Sequence, residues 1–68
     1  MFIELLTIKQ EKISVNVNRI EYFTPTKKGT LIVFTDGLDV EVLYQYEEVI
    51  RLLHEHSNFI LLQREKNI

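Results

Sequence analysis

The chain has 68 residues, of which 46% are apolar, ten are acidic and eight are basic, and it contains no cysteine. This length supports one domain with a thin core, and the lack of cysteine excludes disulfides, thiolate zinc sites and thiol nucleophiles. The net charge of −2 argues against a dedicated nucleic-acid binder, which usually carries a basic excess. The first residues show no signal-peptide pattern, and no apolar run approaches the roughly 20 residues of a membrane span. We therefore expect a cytoplasmic protein that does not bind membranes.

Five segments in the first two thirds of the chain have the composition of short β-strands. They cover residues 2–9, 12–17, 20–24, 30–35 and 38–44. In the second segment Ile13, Val15 and Val17 alternate with polar residues, which is typical of a half-buried strand. The fourth segment is almost entirely β-branched and aromatic, so we expect it at the centre of the sheet, covered on both faces.

Turn signals separate these segments. Gln10 and Glu11 form a short polar turn, and Gly29 ends a loop in which it can supply a positive φ if one is required. Asp36-Gly37 is a strong signal for a two-residue hairpin. In the strand that follows, alternation predicts one shared face for Leu38, Val40, Val42 and Tyr44.

The hydrophobic period changes from two residues to that of a helix near Gln45. The residues that fall on one helical face are Tyr46, Val49, Ile50 and Leu53. A final apolar run of strand length follows the helix and comprises Phe59, Ile60, Leu61 and Leu62. This strand, predicted over residues 59–63, can return to an edge of its own sheet, beside the first strand, or pair with a second chain. Residues 64–68 are expected to be a frayed tail.

These elements predict one α+β domain over residues 1–68. It consists of an antiparallel β-meander of about five strands, one C-terminal amphipathic helix packed on its apolar face, and a short terminal strand.

Residues capable of catalysis or metal binding do not form a recognisable constellation. His54 and His56 are two positions apart on a helix and do not share a face, which makes them a poor metal pair. We interpret Asp36 as a turn residue, and Asp39 and Glu41 as part of a solvated strand face. We therefore expect no enzymatic activity, no metal and no cofactor.

Three cations are candidate contacts for a phosphate or another anionic ligand: Arg19, Lys27 and Lys28. The two lysines follow Tyr22 and Phe23, aromatic residues that can stack on bases. Lys9 and Lys12 extend this basic group, while nearby acidic residues dilute its field, namely Glu4, Glu11 and Glu21.

Three phrases of the sequence resemble a family of short bacterial and phage proteins, the FlbD-like flagellar and swarming-motility proteins. The phrases are Val15-Asn16-Val17-Asn18-Arg19-Ile20, Asp36-Gly37 and Tyr46-Glu47-Glu48-Val49. The resemblance covers about two thirds of the chain and implies a small regulatory protein without catalytic residues. The chain has Gln45 where the family usually carries a serine-like cap. The phrase Arg19-Ile20-Glu21-Tyr22 also looks like part of a LytTR-type DNA-binding domain.

We expect a non-enzymatic interaction or regulatory module that acts as a homo-oligomer and has a protein partner. The reason is the thin core combined with surplus apolar surface on Leu5, Leu43 and the final apolar run. The predicted oligomer interface is Phe59, Ile60, Leu61 and Leu62. One alternative is an oligomer that binds or sequesters a small nucleotide through Arg19, Lys27 or Lys28, and another is a nucleic-acid-binding module.

Overall fold

The computed structural model describes residues 1–56 and shows an α+β fold of five antiparallel strands and one helix, as the sequence predicts. The strands are β1 (Phe2–Leu6), β2 (Lys12–Asn16), β3 (Ile20–Pro25), β4 (Thr30–Phe34) and β5 (Asp39–Val42). A 3₁₀ turn (Val17–Arg19) joins β2 to β3, and the helix α1 (Tyr46–His56) follows β5. The predicted strand over residues 59–63 and the predicted tail over 64–68 lie outside the described residues.

The strands form two sheets, a division that the predicted antiparallel meander of about five strands does not specify. One sheet is the hairpin β1–β2, and the other has the order β3–β4–β5, so β4 is the central strand of its sheet as expected. The sheets meet where Thr7 bridges Val42 in antiparallel fashion. On either side of this bridge, Leu43 N donates to Leu6 O and Ile8 N donates to Glu41 O, each at 3.0 Å. Strand neighbours therefore run β2, β1, β5, β4, β3.

The meander is interrupted between β2 and β3 because a 3₁₀ turn, not a hairpin, connects them. The Asn16 side chain accepts a hydrogen bond from Asn18 N at 3.1 Å, and Ile20 N donates to Val17 O. Asparagine favours such local bonds over strand pairing. Arg19 O then accepts from Thr35 N at 2.8 Å, which directs β3 onto β4.

Seven apolar side chains form the buried core: Leu5, Val15, Val17, Ile32, Val42, Val49 and Leu53. Val49 and Leu53 come from the predicted helical face, and the alternation predicted for β2 is confirmed by buried Val15 and Val17. The expectation that Leu5 contributes surplus apolar surface is wrong. Its side chain is 2% exposed, because Ile3, Leu5 and Thr7 share the core-facing side of the first strand.

The start of α1 is fixed by contacts from the three-stranded sheet. The buried Thr30 hydroxyl donates to Tyr44 O at 2.8 Å, and the rings of Phe23 and Tyr46 lie 5.4 Å apart. Gln45 O accepts from two amides of the first helical turn. Among the described residues, no helix is long and apolar enough to span a membrane.

The β4–β5 hairpin has a three-residue loop instead of the predicted two-residue turn. Phe34 N donates to Leu38 O at 2.8 Å and Gly37 N donates to Phe34 O at 2.9 Å, which leaves residues 35–37 in the loop. Gly37 takes the left-handed position with φ of 92°. Leu38, which pairs with Phe34 at the end of the hairpin, is 67% exposed, although the register keeps it on the side of Val40 and Val42.

Gly29 is required for a reason other than a positive φ. Its φ is not positive. A Cβ atom at this position would collide with the carbonyl oxygen of Val42 and lie 3.0 Å from the carbonyl carbon of Leu43. The glycine is therefore needed for close approach of two backbones.

The β1–β2 turn contains the non-glycine residue with positive φ, Gln10 at 65°. Gln10 N donates to Thr7 O at 2.8 Å, and the Thr7 hydroxyl accepts from Lys9 N and Glu11 N, each at 3.2 Å. These bonds stabilise a conformation that costs an L-residue about 1–2 kcal/mol.

Gln10→Gly and Gly37→Ala are expected to shift stability in opposite directions. Gln10→Gly should raise the free energy of unfolding by about 0.5–1 kcal/mol, because the strain relieved exceeds the chain entropy added. Gly37→Ala should lower it by about 1 kcal/mol, because alanine is strained at the positive φ of this position. The loss should not be larger, because no atom lies within 4 Å of the new Cβ. Urea unfolding measures both, and a shift of both variants in the same direction would contradict the turn geometry.

Candidate functional site

Glu41 forms hydrogen bonds with the segment that leads into the β1–β2 turn and with the β3–β4 loop. Its backbone oxygen accepts from Ile8 N at 3.0 Å, and its carboxylate accepts from the Thr26 hydroxyl at 2.7 Å. Lys9 and Lys27 directly follow these two donors in sequence, but they extend in opposite directions along β5. The chain continues from Ile8 toward the level of Val40, whereas the β3–β4 loop lies beyond the Thr30–Val42 pair. We call the exposed lysine pair of the β3–β4 loop, Lys27 and Lys28, the lysine end.

The β3–β4 loop is organised around one side chain, Thr26. Its hydroxyl donates to Glu41 and accepts from Gly29 N at 2.9 Å, while Thr26 N donates to Gly29 O, also at 2.9 Å. Thr26 is half-buried, whereas Lys27 and Lys28 are exposed. No ion pair with another described residue engages either ammonium group. The loop thus fixes the backbone that carries two solvated cations.

Arg19 does not join this group. It ends the 3₁₀ turn at the beginning of β3, whereas Lys27 and Lys28 follow the end of that strand. The six residues of β3 separate Arg19 from the lysines by about 20 Å. Within one chain the structure therefore holds Lys27 and Lys28 on one loop and places Arg19 at the opposite end of β3. One small ligand cannot contact Arg19 and the two lysines of the same chain.

The three carboxylates considered from the sequence have separate positions. Asp36 accepts from Leu38 N at 3.0 Å within the hairpin tip. Asp39 and Glu41 share the outer face of β5, and the Glu41 carboxylate accepts a hydrogen bond from the Thr26 hydroxyl. Among the described side chains, no group of three or more histidine and acidic residues can hold a metal ion. His54 is exposed on α1, and the His56 side chain lies outside the described part.

Large apolar side chains remain exposed outside the core at five positions: Met1, Phe2, Tyr22, Leu38 and Leu43. Leu43 was expected at the surface from the sequence, and the structure confirms it. Phe2 is 66% exposed because it lies on the β1 face opposite to Leu5. In the sequence, the alternation of Glu4 with Ile3 and Leu5 already indicates that Phe2 lies on the outer face with Glu4. The predicted interface residues Phe59, Ile60, Leu61 and Leu62 lie outside the described residues.

Comparison with known proteins identifies no relative. No family model, no curated protein and no solved structure matches the chain.

Thr26→Val should lower the free energy of unfolding by about 1–3 kcal/mol. The substitution removes two hydrogen bonds and leaves the half-buried Gly29 amide and Glu41 carboxylate without their partner. Thr26→Ser, which keeps the hydroxyl, is the matched control and should retain most of the stability. Chemical denaturation measures both, and equal stability of the valine and serine variants would contradict the proposed role of the hydroxyl.

Proposed function

We propose that this chain is a non-enzymatic interaction or regulatory module that acts as a homo-oligomer and binds a protein partner. The observation that carries the proposal is the exposure of five large apolar side chains in the described part of the chain, where seven apolar side chains are buried. A domain this small has little apolar area to spare for solvent. A second copy that covers these side chains would add the burial that the single chain lacks.

Met1 and Phe2 form an exposed apolar group beside the end of β2, which pairs with β1 alone among the described strands. They are 55% and 66% exposed, and Phe2 pairs across the hairpin with Asn16. Burial of one such side chain contributes about 1.5–3 kcal/mol, which is ten- to a hundredfold in a dissociation constant. The apolar run Phe59, Ile60, Leu61 and Leu62 adds a second group of the same kind in the sequence.

The resemblance to FlbD-like proteins supports a regulatory role in a bacterial or phage setting. It rests on phrases that coincide with the 3₁₀ turn, the β4–β5 hairpin and the first turn of α1. These are structural positions, so the resemblance supports a shared scaffold and supplies no catalytic group.

Leu61→Asp is expected to convert the oligomer to a monomer. A buried carboxylate at an apolar contact is strongly unfavourable, so the dissociation constant should rise at least tenfold. Gln63→Asp introduces the same charge two positions away at a polar site and is the matched control. Light scattering over a concentration series measures the mass of each variant, with circular dichroism to confirm folding.

Three outcomes of the light-scattering experiment test the homo-oligomer and its interface. An oligomeric wild type with a monomeric, folded Leu61→Asp variant supports the proposal. A wild type that stays monomeric at every concentration overturns it. An oligomer unaffected by Leu61→Asp keeps the oligomer but removes the apolar run from its interface.

A second candidate function is the capture of a small nucleotide at the lysine end, between subunits. The observation in its favour is the β3–β4 loop, in which the hydrogen bonds of Thr26 to Glu41 and Gly29 fix the backbone that carries the exposed, adjacent Lys27 and Lys28. Phosphate groups bind such clustered ammonium groups through charge-assisted hydrogen bonds. Arg19 can take part only if a second subunit supplies it.

Calorimetry against a panel of nucleotides tests this second function. Binding should be lost in Lys27→Ala/Lys28→Ala and retained in Arg51→Ala, which removes an exposed cation from α1. Binding that also requires Arg19 would indicate a site shared between subunits. Heat from no nucleotide in the panel would reject the function, and binding of long single strands alone would assign the lysines to nucleic acid.

A further inference from the structure

The outer edge of β2 presents backbone hydrogen-bonding groups to which no other strand of residues 1–56 is paired. Val17 N donates to Met1 O at 2.8 Å and Thr7 N donates to Glu11 O at 2.9 Å, which fixes the alternation of the β1–β2 ladder. Antiparallel pairs alternate between hydrogen-bonded and non-hydrogen-bonded residues. Ile13 and Val15 therefore bond to β1.

The remaining residues of β2 direct their amide and carbonyl groups away from β1: Lys12, Ser14 and Asn16. Within the part of the chain that the structure describes, β2 pairs with β1 alone. The edge strand is regular and contains neither proline nor bulge. It is a ready template for another strand.

The other edge strand, β3, is protected against pairing with a further strand. Its register with β4 shifts between Ile20 and Tyr22, which marks a bulge. Thr26 N donates to Gly29 O at 2.9 Å, so these two residues form a hydrogen-bonded pair. By the same alternation, the backbone groups of Phe23 and Pro25 point outward, away from β4. Pro25 has no amide hydrogen, so between the bulge and the loop this edge offers a single donor, Phe23 N. Bulges and prolines are the devices by which proteins protect an edge from pairing.

The sequence of β2 is self-complementary about its middle residue. An antiparallel two-fold axis at Ser14 pairs Ser14 with its own copy, Lys12 with Asn16 and Ile13 with Val15. All three outward-facing residues then fall in hydrogen-bonded pairs. This gives about four hydrogen bonds, because the Asn16 carbonyl, as N-cap of the 3₁₀ turn, is already an acceptor within its own chain. The lysines lie opposite asparagines and avoid each other.

The side-chain faces match in the same register. Ile13 faces Leu5 across the hairpin and Val15 faces Ile3, and Ile3 and Ile13 are only partly buried. Pairing of two copies joins these residues into one apolar row across the axis. On the opposite face Ser14 meets Ser14, and Lys12 of one copy extends toward the exposed Phe2 of the other.

We propose that two copies of this chain associate by antiparallel pairing of their β2 strands about a two-fold axis at Ser14. This deepens the proposed homo-oligomer and rests on it, because it names the surface through which the copies meet. The contact is isologous, so it closes at a dimer by itself. A second interface, such as the C-terminal apolar run, can enlarge the assembly.

Ser14→Cys in the full-length chain tests the register directly, because the wild type contains no cysteine. Cα atoms of a hydrogen-bonded antiparallel pair lie about 5.5 Å apart, within the range that a disulfide spans. Mild oxidation should convert most of the protein to a covalent dimer. Thr24→Cys, an exposed position on β3, is the matched control and should remain largely monomeric on a non-reducing gel.

Ser14→Lys tests the same contact without a covalent bond. It places two ammonium groups opposite each other at the axis while the Ser14 side chain is exposed in the single chain. The dissociation constant should rise at least tenfold, and Thr24→Lys, with the same charge on the other edge, should leave it unchanged.

Failure of this inference is distinguishable from failure of the homo-oligomer. A monomeric wild type overturns both. An oligomer whose mass is unchanged by Ser14→Lys, and whose Ser14→Cys variant does not cross-link, overturns the β2 contact alone. A disulfide formed within one chain of Ser14→Cys/Leu61→Cys, without covalent dimer, assigns the edge to the chain's own apolar run and also overturns the proposal.

Discussion

The fold depends on a short stretch of β5, residues 41–43, where the two sheets are joined. Ile8 N and Leu43 N donate hydrogen bonds across this contact, on either side of the Thr7–Val42 bridge. The Glu41 carboxylate binds Thr26, and the Val42 carbonyl lies so close to Gly29 that no side chain fits there. The small hairpin β1–β2 is marginal alone. Its attachment here closes the core.

Much of the fold follows from local patterns in the sequence. The alternation of Ile13, Val15 and Val17 and the helical spacing of Val49 and Leu53 correctly identified core residues, because burial on one face imposes these periods. The division into two sheets did not follow. It depends on Asn16 and Asn18 closing a 3₁₀ turn and on pairing between Thr7 and Val42, residues far apart in the sequence.

The candidate site shows the same limit of local patterns. Lys27 and Lys28 were identified as exposed cations, but Arg19 lies at the other end of β3 and does not join them. A strand pattern does not reveal the hydrogen bonds from Thr26 to Glu41 and from Gly29 to Thr26 that fix the loop of the two lysines. Leu5 was misjudged because both faces of β1 carry apolar residues.

Edge protection links the fold to the proposed association. The chain blunts β3 with Pro25 and a bulge and leaves β2 open with a self-complementary sequence. The most direct measurement is amide hydrogen exchange of β2 as a function of protein concentration. The amides of Ile13 and Val15 should be protected throughout, whereas those of Ser14 and Asn16 should gain protection as concentration rises. Exchange at these two amides that does not depend on concentration would contradict association through this edge.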